Sequence, residues 1–171
     1  NYYKKYENYL KNEDKYRFIV ELIEDDKTIG LATYEDNSNC VKNGDIGTYI
    51  GEKNFWNEGL GKDITLGLCE MLFFHKNYDR LSAWSSSINK RAHNVLEDFG
   101  FKKTGRARKS GFLFGKRIDW VLFDLLKEEY MENRDEYLDK YLDNKEDYIK
   151  GYCKLKKPKD KTSKKIEDKE E

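Results

Sequence analysis

Residues 45–63 run Asp45, Ile46, Gly47, Thr48, Tyr49, Ile50, Gly51, then a polar turn, then Trp56, Asn57, Glu58, Gly59, Leu60, Gly61, Lys62 and Asp63. The pattern is a buried strand (residues 44–50), a short turn, and a tight glycine pair that opens a helix. That helix continues through Ile64, Leu66, Leu68, Cys69, Leu72 and Phe73. A first helical turn has backbone N–H groups without internal partners, and the helix dipole adds partial positive charge there. Glycines at 59 and 61 leave room for a group to approach the backbone. The arrangement is therefore an anion-binding design. Two phosphate-loop patterns fail at once. A Walker loop needs four residues between its glycines and a Gly-Lys-Ser/Thr ending, and neither is present. A dinucleotide fingerprint needs glycine at 64, where Ile64 stands. A plain helix start with turn glycines stays open on this stretch alone.

The rest of the chain bounds what surrounds this stretch. A length of 171 residues supports one domain with a real core. Formal net charge is zero, so no global basic field points to nucleic acid. Charged residues make up 39%, crowded toward the C-terminal end, yet 15% aromatic residues can still build a core. Cys40, Cys69 and Cys153 are odd in number, widely spaced and without a CxxC pair. This reads as a reducing, cytoplasmic setting with no disulfide frame and no structural metal. No apolar run approaches the roughly 20 residues of a membrane span. No signal peptide is visible. The first residue is Asn1 rather than Met, which reads as a trimmed or partial product.

Read in order, residues 1–12 form a helix with Tyr2, Tyr6, Tyr9 and Leu10 on one face. Residues 15–23 and 28–34 form two strands around a turn at 24–27, with Gly30 at a bulge. A polar loop leads to the strand at 44–50, so three antiparallel strands precede the glycine loop. After the helix come a strand at 80–86 and a helix at 89–98, closed by Gly100. Strands at 102–112 and 117–125 follow, joined at Phe114, Gly115 and Lys116. The fold class is α/β, with a mixed, mostly antiparallel sheet. From residue 127 the composition turns charge-rich, with Tyr130, Tyr137, Leu138, Tyr141, Leu142, Tyr148, Ile149 and Tyr152 at helical intervals, which reads as one or two amphipathic helices packing on the domain or on a partner. The domain spans 1–126, an amphipathic helical extension 127–155, and a disordered mixed-charge tail 156–171.

Two motifs at the right separation resemble the GNAT superfamily of N-acetyltransferases. The loop from Trp56 to Gly61 is similar to the family's Arg/Gln-x-x-Gly-x-Gly/Ala segment. Asn89, Lys90, Arg91 and Ala92, followed by Leu96 to Phe101, are similar to its Asn-x-x-Ala…Gly-Phe helix. The strand at 45–51 and the stretch from Gly115 to Tyr130 resemble the ribosomal-protein-alanine and spermidine acetyltransferase branch. There are three departures. Trp56 replaces the usual Arg or Gln, which removes a side-chain phosphate contact but leaves the backbone donors, and Trp also occurs there in this branch. Leu96 stands where many members carry a Tyr acid. The family's first strand and helix would precede Asn1.

The resemblance implies a sheet splayed around acetyl-CoA with helices on both faces. It implies acetyl transfer to a primary amine by direct attack, the acceptor being a protein N-terminus or a small amine such as a polyamine. The coenzyme's pantetheine arm would bond backbone groups of Tyr49, Ile50 and Gly51. Its diphosphate would lie on the loop of Trp56, Asn57, Glu58, Gly59, Leu60, Gly61 and Lys62, and its arm would meet Asn89 and Ala92. Asp45 matches the family's strand acid and becomes the candidate base; read from the residues alone it is equally an exposed strand carboxylate. A backbone N–H near Ile50 is the implied oxyanion donor. With Leu96 unable to donate, solvent, Tyr49 or Ser87 remain for the acid. Asn89 is equally a plain N-cap. His75 reads as a dipole partner at a helix end, His93 as a surface or substrate-rim residue, and Cys69 as core. Arg106, Arg108 and Lys109 read as a solvated basic face, with contact to the coenzyme's 3′-phosphate or an acidic substrate as the alternative. The alternative is a non-catalytic acyl-CoA-binding or interaction module on the same fold. The expected partners are the coenzyme and the amine, with no nucleic acid and no membrane. The aromatic stripe after Tyr130, read as exposed, is compatible with a homodimer.

Overall fold

The computed structural model describes residues 14–22, 26–38 and 40–141. Strands β1 (Lys15–Glu21), β2 (Thr28–Asp36) and β3 (Asn43–Ile50) lead to a 3-10 turn at Lys53–Phe55. Helix α1 (Leu60–Glu70) follows and ends in a π-helical turn, Met71–His75. Then come β4 (Arg80–Ser86), α2 (Lys90–Asp98), β5 (Lys102–Leu113), β6 (Lys116–Leu126) and α3 (Lys127–Tyr141). The six strands form one sheet in the order β1-β2-β3-β4-β6-β5. Neighbours run antiparallel except β3 and β4, which are parallel.

The expected elements recur with small shifts. β2 extends past Tyr34 because Glu35 and Asp36 still pair with Asp45 and Gly44. The ladder outweighs their poor strand propensity, and Lys15 on β1 neutralises Glu35 at 2.9 Å. The expected bulge lies beside Gly30: the register passes from Val20↔Gly30 to Glu21↔Thr28, so Ile29 is the inserted residue. Ile29 is thereby buried. The expected helix over 1–12, the residues at 142–155 and the tail at 156–171 lie outside the described residues.

One core fills one face of the sheet. Ala32, Tyr34, Ile46, Leu81, Ala83, Phe123 and Leu125 point into it from the strands. All three described helices pack on this face. Leu66, Leu68, Leu72 and Phe73 enter from α1 and its extension, and Leu96 from α2. Cys69 is fully buried, as expected of a core residue, and burial pushes its thiol pKa far up. α2 ends as foreseen at Gly100 (φ 81°): its N–H donates to Glu97 O and that of Phe101 to Leu96 O, a Schellman closure.

α3 decides between the two expectations for its apolar face. Tyr130, Tyr137 and Leu138 pack on the domain as members of the same core, and are not the exposed stripe that a homodimer would use. Tyr130 lies against Phe73, and Tyr137 against Phe99. The spacing showed an apolar face, but periodicity cannot say what covers it. A buried ionic cluster fastens this helix. Glu70 receives Nε and Nη2 of Arg134 at 2.8 and 2.7 Å, and the Tyr130 hydroxyl at 2.9 Å.

The opposite face carries Tyr49, Trp84 and Trp120, all exposed. No described helix is long and apolar enough to cross a membrane.

Candidate functional site

β3 and β4 pair only through Asn43↔Arg80, Gly44↔Leu81 and Asp45↔Ser82. Beyond that point each strand keeps its other neighbour: β3 stays on β2 through Ile50, and β4 stays on β6 through Ser86. The sheet therefore opens as a V between residues 46–50 and 83–86. The ladder phase says which groups face the opening. Gly51 donates to Ile29 O at 3.0 Å, and Ser87 to Asp119 O at 2.9 Å. Antiparallel alternation then turns the N–H and C=O of Ile46, Thr48 and Ile50 toward the V, and those of Trp84 from across it. Of the backbone groups expected to meet a ligand, Ile50 faces the opening, whereas Tyr49 and Gly51 are turned to β2. Tyr49 instead lays its ring over Gly47: a Cβ there would lie 3.3 Å from the ring.

The glycine loop lies past the open end of β3. Gly59 has φ 86°, a left-handed conformation that L side chains rarely adopt. A Cβ on it would meet nothing within 4 Å. Lys62 N–H turns back to Gly59 O at 2.7 Å, and Asp63 N–H shares the same acceptor at 3.3 Å. The amides of Gly59, Leu60 and Gly61 have no acceptor among the described residues. They form the narrow donor set that an anion would meet. The Lys62 side chain is committed elsewhere, bonded to Asp98 at 2.6 Å, a bond that raises its pKa. The loop carboxylate Glu58 and Asn57 (φ 71°) are exposed.

Trp56 ties three pieces together. Its indole N–H donates to Ile50 O at 3.0 Å, at the lip of the V. Its ring carries the Arg91 guanidinium at 4.5 Å from the ring centre, with Lys53 at 6.0 Å. Asn89 caps α2 as its composition allows, accepting from Ala92 N–H at 3.3 Å. Gly61 lies against Val95: a Cβ on the glycine would sit 3.7 Å from Val95 Cγ2. The start of α1 thus meets the middle of α2 beside the opening. Arg91 is the residue that sequence reading missed. No spacing rule links a cation at 91 to an aromatic ring at 56.

Asp45 stands where the V closes. The Ser82 hydroxyl, itself buried, donates to Asp45 Oδ1. Ser82 was not singled out from sequence, since only the strand pairing brings it opposite Asp45. Leu96, in the position of the family's Tyr acid, is buried in the core.

The remaining tempting residues fall into place. His93 is not on the surface: it is 5% exposed, bonded through Nε2 to Ser86 O at 3.0 Å, and packed on Phe123. It sits on the inward face of a nine-residue helix, three residues before Leu96, which shares that face. Burial, its main cause, lowers the His93 pKa. The folded chain therefore resists a proton that the unfolded chain accepts. This contribution to stability is present above about pH 6.5 and is lost as pH falls through the lower folded value. Denaturant unfolding between pH 7.5 and 5.5 should show stability falling, with a shallower slope in His93→Gln; equal slopes would mean that folded His93 protonates freely. His75 is exposed at the helix end, as expected. In the basic cluster, Arg106 Nε and Lys109 N–H each donate to Asp119 at 2.6 Å. The Lys109 bond first, and Arg106 next, hold the Asp119 carboxyl below its usual range.

Comparison with known proteins agrees with this geometry. A family model for the acetyltransferase (GNAT) domain matches residues 1–102. The chain is 28% identical over 114 residues to the uncharacterized N-acetyltransferase p20 of Bacillus licheniformis. That match takes in 67% of this chain but only 64% of the relative, a little under two thirds of its length. Among solved structures, a mutant form of the Vibrio cholerae spermidine N-acetyltransferase SpeG superposes with a TM-score of 0.67 at 19% identity, covering 77% of this chain and 76% of that one. The Vibrio cholerae spermidine N-acetyltransferase in complex with CoA and spermine gives 0.66 at 18% identity, covering 76% of each. At such identities the superpositions speak for the fold. With the family match over more than half of its length, and the splayed strands and glycine loop in place, the chain belongs to the GNAT acetyltransferase family.

Proposed function

We propose that this chain transfers an acetyl group from acetyl-CoA to a primary amine, on a protein N-terminus or on a small molecule such as a polyamine. The observation that carries the reading is the opening between β3 and β4, which ends at the three acceptor-free amides of Gly59, Leu60 and Gly61. The residues present fit such a coenzyme. Unpaired strand edges suit an amide-bearing arm, and a helix start rich in donors suits a diphosphate. The coenzyme, when bound, supplies the acetyl group as an activated thioester.

The chain's own groups do the rest. Ile46, Thr48 and Ile50 offer backbone bonds along one side of the V, and Trp84 along the other. The Ile50 N–H is a donor for a carbonyl oxygen that gains charge. Asn89 fixes the start of α2, and the small Ala92 leaves space beside it. An amine acceptor with a pKa near 10 is mostly protonated at neutral pH, so a proton must be removed before attack. Asp45, whose carboxylate accepts from the Ser82 hydroxyl, is the candidate for that role. From Asp45 to Ile50 the strand advances about 16 Å, so a proton given up by an amine at the Ile50 end would reach Asp45 only along a chain of waters. The relative solved with CoA and spermine gives polyamines a place on the acceptor panel.

An acetylation screen of peptides with free N-termini against polyamines tests the reading. With a substrate found, Asp45→Asn should lower kcat tenfold or more with acetyl-CoA affinity unchanged. Equal kcat would remove Asp45 from the mechanism. The burial of Leu96, which leaves no Tyr acid there, favours a second reading: a non-catalytic acyl-CoA-binding module. Tight acetyl-CoA binding with no turnover across the panel would select it.

A further inference from the structure

A diphosphate seated on three amides still carries two negative charges, and a cation within reach would add charge-assisted bonds to it. Position 56, where the family places Arg or Gln, holds Trp. Lys62, inside the loop, is bonded to Asp98. Lys53 reaches only the margin of the Trp56 ring. Arg91 is different. It lies one helical turn before Val95, the residue that packs against Gly61, so its face of α2 looks toward the start of α1. Its guanidinium rests 4.5 Å from the centre of the Trp56 ring, and that ring is pinned by its bond to Ile50 O. Among the described residues no carboxylate pairs with Arg91. A guanidinium carried on an aromatic ring keeps its five N–H donors for another acceptor, and the stacking orders it beforehand.

We propose that Arg91, supported on Trp56, binds the diphosphate of the coenzyme and replaces from α2 the side-chain contact that the loop lacks at position 56. The proposal rests on the coenzyme reading above. It recasts Trp56 as a positioning residue: its ring holds the cation, and its N–H holds the ring.

The test is equilibrium binding of acetyl-CoA and of its 3′-dephospho form to the intact chain, at low and moderate salt. Arg91→Ala should weaken both ligands about tenfold and to the same extent, with a shallower salt dependence than the parent chain. Arg91→Lys keeps the charge but loses the planar fork, and should fall between the two. Trp56→Leu removes the support without touching the charge, and should weaken binding with Arg91 still present. Arg91 is exposed, so far-UV circular dichroism should be unchanged in its variants. Undiminished affinity in Arg91→Ala would overturn the proposal and leave the coenzyme site intact. A loss confined to acetyl-CoA, absent with the dephospho form, would also overturn it, placing Arg91 on the 3′-phosphate. No binding by the folded parent chain would sink the coenzyme reading itself.

Discussion

Arg134→Met is expected to lower folding stability by about 3–5 kcal/mol, the effect of breaking a buried ion pair from one side. The Glu70 side chain is 4% exposed and receives both guanidinium bonds and the Tyr130 hydroxyl. Met keeps most of the apolar stem but removes two charged donors. The Glu70 carboxylate then keeps one neutral donor and no counter-charge in a site that water barely reaches. The Arg134 guanidinium also lies 4.4 Å from the centre of the Phe74 ring, and that contact goes too. The double variant Glu70→Gln/Arg134→Met removes the charge together with its partner and should recover most of the loss, because the penalty lies in the orphaned charge. Chemical denaturation of the three proteins reads this directly. A loss within about 1 kcal/mol for the single variant would mean that the pair behaves like a screened surface pair. The effect bears on the site, since α3 braces the C-terminal end of the helix whose first turn carries the loop.

What the sequence revealed divides along physical lines. The loop from Trp56 to Gly61 and the cap at Asn89 are local features. Their conformations follow from glycine, from side-chain capping and from helix ends, so they were readable residue by residue. The strand and helix positions were readable for the same reason, through alternation and helical spacing. The V is a different kind of fact. Nothing in residues 43–50 alone says that pairing with β4 stops at Asp45, because that depends on how two distant strands diverge. For that reason Ser82 was invisible as the partner of Asp45, and so was the turning of the Tyr49 and Gly51 backbone groups toward β2. His93 lies three residues before Leu96, so helical spacing already puts it on the inward face; its polar ring disguised this, and the packing on Phe123 shows it. The stripe on α3 is legible as an apolar face, and the structure shows that the domain itself covers it. A periodic apolar face says that something covers it and leaves open whether that is the same chain.

The expected result at the loop has opposite signs for fold and ligand. Gly61→Glu should stabilise helix α1 and weaken acetyl-CoA at least a hundredfold, about 2.8 kcal/mol. Glycine in a helix costs about 0.5–1 kcal/mol relative to a good helix former. A carboxylate in the first turn is also favoured by the dipole, worth about 0.3–1 kcal/mol. The new Cβ meets only Val95, at an ordinary contact distance of 3.7 Å, so packing gives no reason for glycine there. The thermal midpoint should therefore hold or rise. The same carboxylate would lie beside the free amides of Gly59 and Leu60, compete with a diphosphate for them, and draw on the cation at Arg91. Gly61→Ala separates size from charge: it should keep the gain in stability and lose far less affinity. Gly59→Glu makes a second contrast, because φ 86° penalises any L side chain by about 1–2 kcal/mol and its midpoint should fall. If Gly61→Glu bound acetyl-CoA as tightly as the parent chain, the diphosphate would not lie on the start of α1, and the glycine pair would be an ordinary helix entry. If affinity and midpoint fell together, the binding loss would be a folding loss. A midpoint that holds while affinity collapses means that glycine at 61 serves the ligand against the interest of the helix.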